Sequence, residues 1–252
     1  MKRIPFNFQR FKLSKGDNEN KVVRGIQRQD TLERLEIKDN PKVEIETRNN
    51  ADYSKELGSG DQGVVYRAEG ANGKNVALKV PISGYDEYNK QQLIEYAMKK
   101  AMRQLLVDKG DPDYDRINEV HNIERSTKAF RDNNNNKSTV VFTMDLADGT
   151  SGSLEEKDKK FYESEKKQIE KLVKRLSNLG FEMGEDIQKD ENLFLKDGKL
   201  QIGDCGSVRV HKGRTAEKYV LQQVEEVQAK VGIEKLDDVD IYADPPSKDK
   251  SF

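Results

Sequence analysis

The feature that most restricts this chain is a glycine cluster, Gly58-Ser59-Gly60-Asp61-Gln62-Gly63, that lies between two strand-like runs and not between a strand and a helix. Lys55-Glu56-Leu57 leads in and Val64-Val65-Tyr66-Arg67-Ala68 leads out, followed by a turn signal at Asn72-Gly73 and the run Val76-Ala77-Leu78-Lys79-Val80. Three short antiparallel strands with glycines at a hairpin tip are predicted. That context argues against a Rossmann dinucleotide site, whose glycines open a helix. Glycines at such a tip tolerate unusual dihedrals and let backbone amides approach phosphate oxygens with no Cβ in the way. By itself the cluster reads equally well as a plain glycine-rich turn.

Lys79 follows Gly63 on an otherwise apolar strand, where an ammonium is costly to bury unless an anion receives it. A surface-facing strand lysine is the other reading. Residues 86–107 then take up a helical period through Ile94, Ala97, Met98, Ala101 and Leu105. The Asn133–Asn136 run reads as a loop before a buried strand, Thr139–Met144, which ends at the turn signal Asp148-Gly149. Ser153 with Glu156 suggests a capping box, and Ile169, Leu172, Val173 and Leu176 form a helical stripe closed by Gly180. Asp197-Gly198, between Leu193-Phe194-Leu195 and Leu200-Gln201-Ile202, signals a hairpin, and a last helix runs through Val220, Val224, Val227 and Val231.

Gly58 to Val65 as G-x-G-x-x-G-x-V and Val76 to Lys79 as V-A-x-K resemble the protein-kinase family almost position for position. Further along, Gly184-Glu185-Asp186-Ile187-Gln188-Lys189-Asp190-Glu191-Asn192 resembles the catalytic loop, and Asp204-Cys205-Gly206 resembles D-F-G with Cys for Phe. The resemblance implies a bilobal, protein-kinase-like α+β fold with a β-rich N-lobe and a reduced helical C-lobe. It implies that Gly58, Ser59, Gly60, Gly63, Val65, Ala77 and Lys79 bind ATP, and that Glu95, with Glu87 the rival, pairs with Lys79. Met144 would be a bulky residue at the head of a hinge, Met144-Asp145-Leu146-Ala147, whose backbone bonds the adenine edge. Asp186 would orient the substrate hydroxyl, and Asn192 and Asp204 would hold Mg²⁺, which Mn²⁺ can replace.

This chain departs from the family in the catalytic loop. Asn192 stands six residues after Asp186, where the family pattern has its asparagine at five, a position that Glu191 fills here. Either the loop has one extra residue or Glu191 is the metal ligand; the apolar run from Leu193 favours the first. Gly184 and Glu185 stand in place of His and Arg, so control by phosphorylation of an activation loop is not expected. No A-P-E segment follows Asp204. The pattern resembles minimal kinases that bacterial pathogens deliver into host cells.

The implied organisation is a basic, flexible arm over 1–50, an N-lobe over 51–145, a reduced C-lobe over 146–231 and an acidic, mobile tail over 232–252. The arm carries eight Lys/Arg in its first 28 residues. Over the whole chain 45 Lys+Arg balance 46 Asp+Glu, which gives no electrostatic pull toward nucleic acid. No run is long and apolar enough for a membrane span, and a lone Cys205 excludes an internal disulfide. A cytosolic-type protein is expected, carried by specialised secretion into a host cytosol if the effector resemblance holds.

The function these residues imply is a Ser/Thr-type protein kinase that uses ATP and Mg²⁺ on a protein substrate, either a host protein or one presented with a host activator. Two alternatives stand beside it. One is a pseudokinase-type nucleotide-binding module without turnover; the other is a small-molecule kinase, for which the short C-terminal region leaves little room.

Overall fold

Three strands, two of them buried on both faces, set the architecture. In the strands Gly63–Glu69 (β3), Asn75–Pro81 (β4) and Thr139–Asp145 (β6), successive side chains point to opposite faces. Val64, Tyr66, Ala68, Val76, Leu78, Val80 and Val141 form one buried cluster. Ala77, Val140, Phe142 and Met144 belong to the main core, with Val65 packed against it. Lys79 shares the period of Ala77 and so faces that core.

A computed structural model describes residues 42–45, 49–60, 63–70, 73–82, 86–126, 139–232 and 241–243 of the chain. The strands Lys42–Ile45 (β1), Asn49–Ser59 (β2) and Val120–Ser126 (β5) complete an antiparallel sheet in the order β1-β2-β3-β4-β6-β5. Register shifts along β2, between Asp52 and Glu56 and between Glu56 and Gly58, bend the strand just before the glycines.

Helix α1, Asp86–Asp108, packs against this sheet. Two further helices, Ser151–Lys157 (α2) and Lys159–Leu179 (α3), follow the short strand Gly149–Thr150 (β7). Asp158 ends α2 and caps α3 by accepting a bond from Phe161 N at 3.0 Å. Gly180 closes α3 in the left-handed region, where an added Cβ would also run into Arg214. The stripe Tyr162, Ile169, Leu172, Val173 and Leu176 is buried. The chain continues through Phe181–Glu182 (β8), the hairpin Leu193–Lys196 (β9) with Lys199–Ile202 (β10), Arg209–Val210 (β11) and helix α4, Thr215–Val231. Positive φ at both Asp197 and Gly198 makes the tight two-residue turn that the Asp-Gly pair predicts.

The class is α+β, an antiparallel sheet with four helices among the described residues. One continuous hydrophobic cluster joins the inner face of the sheet to α1, α3, the β9–β10 hairpin and α4. Val220, Val224, Val227 and Val231 are buried in it, and α4 lies along α1, so the valine stripe is used within the chain. Arg116 and Glu165 form a buried pair at 2.7 Å, and Glu165 also accepts from Leu200 N, which joins α3 to β10. No helix among the described residues is long and apolar enough to cross a membrane.

The structure corrects one expectation, the cap at Ser153, and adds local contacts in two segments. Helix α2 is capped by Thr150, whose Oγ1 accepts from Ser153 N at 3.2 Å, so Ser153 lies in the first turn and does not cap it. The segment read as a flexible arm contains β1 and the start of β2; Lys42-Val43-Glu44-Ile45 alternates polar and apolar, but four residues are too few to stand out among charges. Residues 1–41 and 46–48 lie outside the described residues. In the acidic tail, Ile241 is buried, Val210 N donates to Ile241 O and Ala243 N to Val210 O. Residues 233–240 and 244–252, like the Asn133–Asn136 run, lie outside the described residues.

Candidate functional site

Three residues far apart in the sequence meet between the sheet and α1. Lys79 Nζ lies 2.5 Å from Glu95 Oε2 and 3.5 Å from Asp204 Oδ2. The side chains of Lys79 and Glu95 are 8% and 1% exposed, whereas that of Asp204 keeps 37% exposure, so the cluster opens to solvent at Asp204. Burial alone would lower the pKa of Lys79, but Asp204 and Glu95 outweigh it and hold the ammonium above its ordinary value. Burial would raise the pKa of Asp204, but Lys79, the Gly206 N–H and Lys99 reverse that and hold the carboxyl below its ordinary value. Glu87, the rival to Glu95, is exposed.

The glycine segment is tied to this cluster through the sheet. Gly58 pairs with Val65, and Val65 pairs with Lys79 on the neighbouring strand. Gly58 and Ser59 end β2, Gly60 N donates to Gly63 O at 2.9 Å across the tip, and Gly63 opens β3. An added Cβ at Gly63 would approach Val80 O to 2.6 Å, so glycine there keeps the strands in contact. Ala77 pairs with Met144, which places both on the core face beside Lys79. Leu146 packs at the edge of the core, and Ala147 continues the segment to the β7 turn.

Asp186 belongs to a second group. It lies in a 3₁₀ turn, Glu185–Gln188, with its side chain 57% exposed and ion-paired to Lys189. Asn192 Nδ2 donates to Asp186 O at 2.8 Å, while Glu191 sits beside it in the turn Asp190–Asn192 with no such bond to that loop. Asn192 and Asp204 flank the two open ends of the β9–β10 hairpin, which Gly203 N closes by donating to Asn192 O at 2.8 Å. The hairpin therefore brings the two groups to one edge. Gly203 has no room for a Cβ, which would overlap the Phe194 ring.

Four features escape the sequence reading. Lys99 is fully buried, 3.1 Å from Glu95 Oε1 and 2.5 Å from Gly203 O. Gln91 Nε2 donates to Gly206 O at 2.7 Å. Tyr162 OH and Lys166 Nζ both donate to Asp190 Oδ1, at 2.5 and 2.9 Å, and Ser151 Oγ donates to Asp190 O, which fixes the loop after Asp186. His121, to which the sequence assigns nothing, bonds Asp145 at 2.9 Å and holds that carboxyl below its ordinary value. Glu95 and Lys99 one helical turn apart were a legible signal, but such a pair ordinarily marks an exposed face. Cys205 is buried, which pushes its thiol well above its ordinary pKa and leaves it inert as a nucleophile.

Among the described residues, no three His, Cys, Asp or Glu side chains come together as a ready-made cation cage. Asp204, partly open, and Asn192, whose amide nitrogen is occupied and whose oxygen remains an acceptor, fit a cation that brings most of its own ligands. No protein-family model matches the chain, and no curated protein matches it.

Proposed function

We propose that this chain is an ATP-dependent phosphotransferase of protein-kinase-like, bilobal architecture, acting on a protein hydroxyl. The observation that carries the reading is the convergence of Lys79, Glu95 and Asp204, from three separate motifs, in one ion cluster, with Gly58 in the same cross-strand row as Lys79. A buried lysine fixed by a carboxylate and aimed at an opening suits a polyanion such as a nucleotide phosphate better than it suits packing.

In this reading the amides of the Gly58–Gly63 hairpin and Lys79 orient the phosphates, and Glu95 orients Lys79. Ala77 and Val65 line the base from the sheet, beside Met144 and the backbone of Asp145, Leu146 and Ala147. Asp204 and Asn192 would hold Mg²⁺, which supplies charge neutralisation on the phosphates when bound. The bond of Asn192 to the Asp186 backbone favours it over Glu191 in that role. The substrate hydroxyl oxygen attacks the γ-phosphorus while the bond to the β–γ bridging oxygen breaks and ADP leaves with that electron pair; the hydroxyl proton passes to Asp186. Positioning and electrostatics supply the catalysis.

The ion pair between Asp186 and Lys189 favours a second reading, a nucleotide-binding module without turnover, because that carboxylate is already engaged by a neighbouring side chain and must leave it to face a substrate hydroxyl. Thermal stabilisation by Mg·ATP, measured beside transfer of labelled γ-phosphate with and without eukaryotic cell lysate, separates the two. Stabilisation with transfer supports the phosphotransferase, and a requirement for lysate supports a host protein as substrate or activator. Stabilisation with no transfer under either condition overturns turnover in favour of the binding module, and absence of both overturns the nucleotide reading altogether.

A further inference from the structure

Lys99 is a second buried ammonium of the site, wholly enclosed, and the phosphotransfer scheme above makes no use of it. Its Nζ donates to Gly203 O at 2.5 Å and to Met144 Sδ at 3.6 Å, forms an ion pair with Glu95 Oε1 at 3.1 Å, and stands 5.5 Å over the Phe142 ring. A leucine or methionine could fill that space without desolvating a charge, so the lysine does something that packing alone does not. It donates to the carbonyl of the residue immediately before Asp204. Two turns earlier on α1, Gln91 Nε2 donates to Gly206 O, just past Asp204, at 2.7 Å. Helix α1 is thus tied to the backbone on both sides of Asp204, and Gly206 N in turn donates to Asp204 Oδ1 at 2.8 Å.

The charges fit the same picture. Lys79 and Lys99 balance Glu95 and Asp204, and Glu95 stands between the two lysines, one at each oxygen. If phosphates draw Lys79 away and a cation draws Asp204, Glu95 keeps a cation at 3.1 Å and need not follow.

We infer that Lys99, assisted by Gln91, is a positioning residue that clamps α1 to the 203–206 segment, so that the Lys79–Glu95 pair and Asp204 are assembled without a separate activating modification. The functional half of this inference rests on the phosphotransferase reading; the clamp itself does not.

The test uses the full chain carrying Lys99→Met, which fills the same volume, or Gln91→Ala, which alters a half-buried side chain. In Lys99→Met, kcat is expected to fall about 20-fold with KM for ATP within about two-fold, and the Mg²⁺ concentration for half-maximal rate to rise about five-fold. Gln91→Ala moves the same two quantities in the same directions by about three-fold. In nucleotide-free protein, amide hydrogen exchange over 203–208 accelerates about ten-fold in Lys99→Met, with exchange in α3 unchanged. Unaltered kcat, Mg²⁺ dependence and exchange in a folded Lys99→Met protein overturn the clamp. If that variant does not fold, unaltered values in Gln91→Ala overturn it instead. A wild-type chain that neither binds nor turns over ATP overturns the phosphotransferase reading, and the exchange measurement then decides the clamp alone.

Discussion

Lys79 and Glu95 stand sixteen residues apart, on β4 and α1, and their side chains meet at 2.5 Å almost out of reach of solvent. The strand period turns Lys79 inward beside Ala77, and Glu95 shares a helical stripe with the buried Gln92, Lys99, Met102 and Leu106. Neither charge has another route to water. Lys79→Ala, which leaves Glu95 and Asp204 with one cation fewer, is expected to cost about 3–5 kcal/mol of unfolding free energy in urea titrations. A loss under about 1 kcal/mol would mean that the pair is not formed in solution.

Asn192 and Glu191 offer competing alignments of the loop, and the bond from Asn192 Nδ2 to Asp186 O distinguishes them. Asn192→Ala is expected to raise the Mg²⁺ requirement for transfer about ten-fold or more, and Glu191→Gln to change it less than about two-fold. Steady-state rates titrated with Mg²⁺ read this directly, and the opposite ranking would assign the ligand to Glu191.

Gly203 links Asp204 to the β9–β10 hairpin, and its missing side chain is required by the Phe194 ring. Gly203→Ala is predicted to lower stability by about 1–3 kcal/mol through overpacking. Adding Phe194→Leu should recover part of that loss, because the smaller side chain makes room. A thermal melt of the single and double variants checks the pattern; an undisturbed Gly203→Ala protein would show that this packing is looser than the structure has it.

Stability should depend on pH at the two extremes, and first at the acid end. The carboxyls of Asp204, Asp113 and Asp190 are all held below their ordinary value of 3.8. Groups with depressed folded values contribute stability that is fully present above the ordinary value and lost as pH falls through the folded one. Lys79 is held above its ordinary 10.5, so its contribution is present below that pH and lost only as pH rises through the raised value. Denaturation midpoints should therefore be nearly flat, as far as these groups are concerned, from about pH 5 to 9 and fall steeply below about pH 4. A midpoint that drops between pH 6 and 8 would contradict this assignment to the carboxylates and Lys79.

Much of the fold was legible because its signals are local. The pairing of the strands that flank the glycines, the Asp197-Gly198 turn, the Gly180 cap and the valine stripe of α4 each depend on a few adjacent residues, and each appears as expected. The pairing of Lys79 with Glu95 was visible only through resemblance, since nothing in a single sequence fixes how a strand lysine and a helix glutamate meet. Lys99 was hidden for the opposite reason. Its spacing from Glu95 is that of a solvent-exposed helix pair, and its burial follows from enclosure of α1 by the sheet, the 203–206 segment and α4, which is a tertiary property. Ile241 was missed because its acidic neighbours dominate the composition of the tail, although one apolar side chain and two backbone bonds to Val210 suffice to hold residues 241–243.

The most direct measurement is transfer of labelled γ-phosphate from Mg·ATP by the wild-type chain, with eukaryotic lysate proteins as acceptors, beside Asp186→Ala. Asp186 is exposed at the surface of its turn, so its removal should leave the melting temperature within a few degrees of wild type. Wild-type transfer that falls about 100-fold or more in that variant is the predicted result. Transfer that persists undiminished in Asp186→Ala, or a wild-type chain that binds Mg·ATP and transfers nothing, would contradict a phosphotransferase that works through this loop.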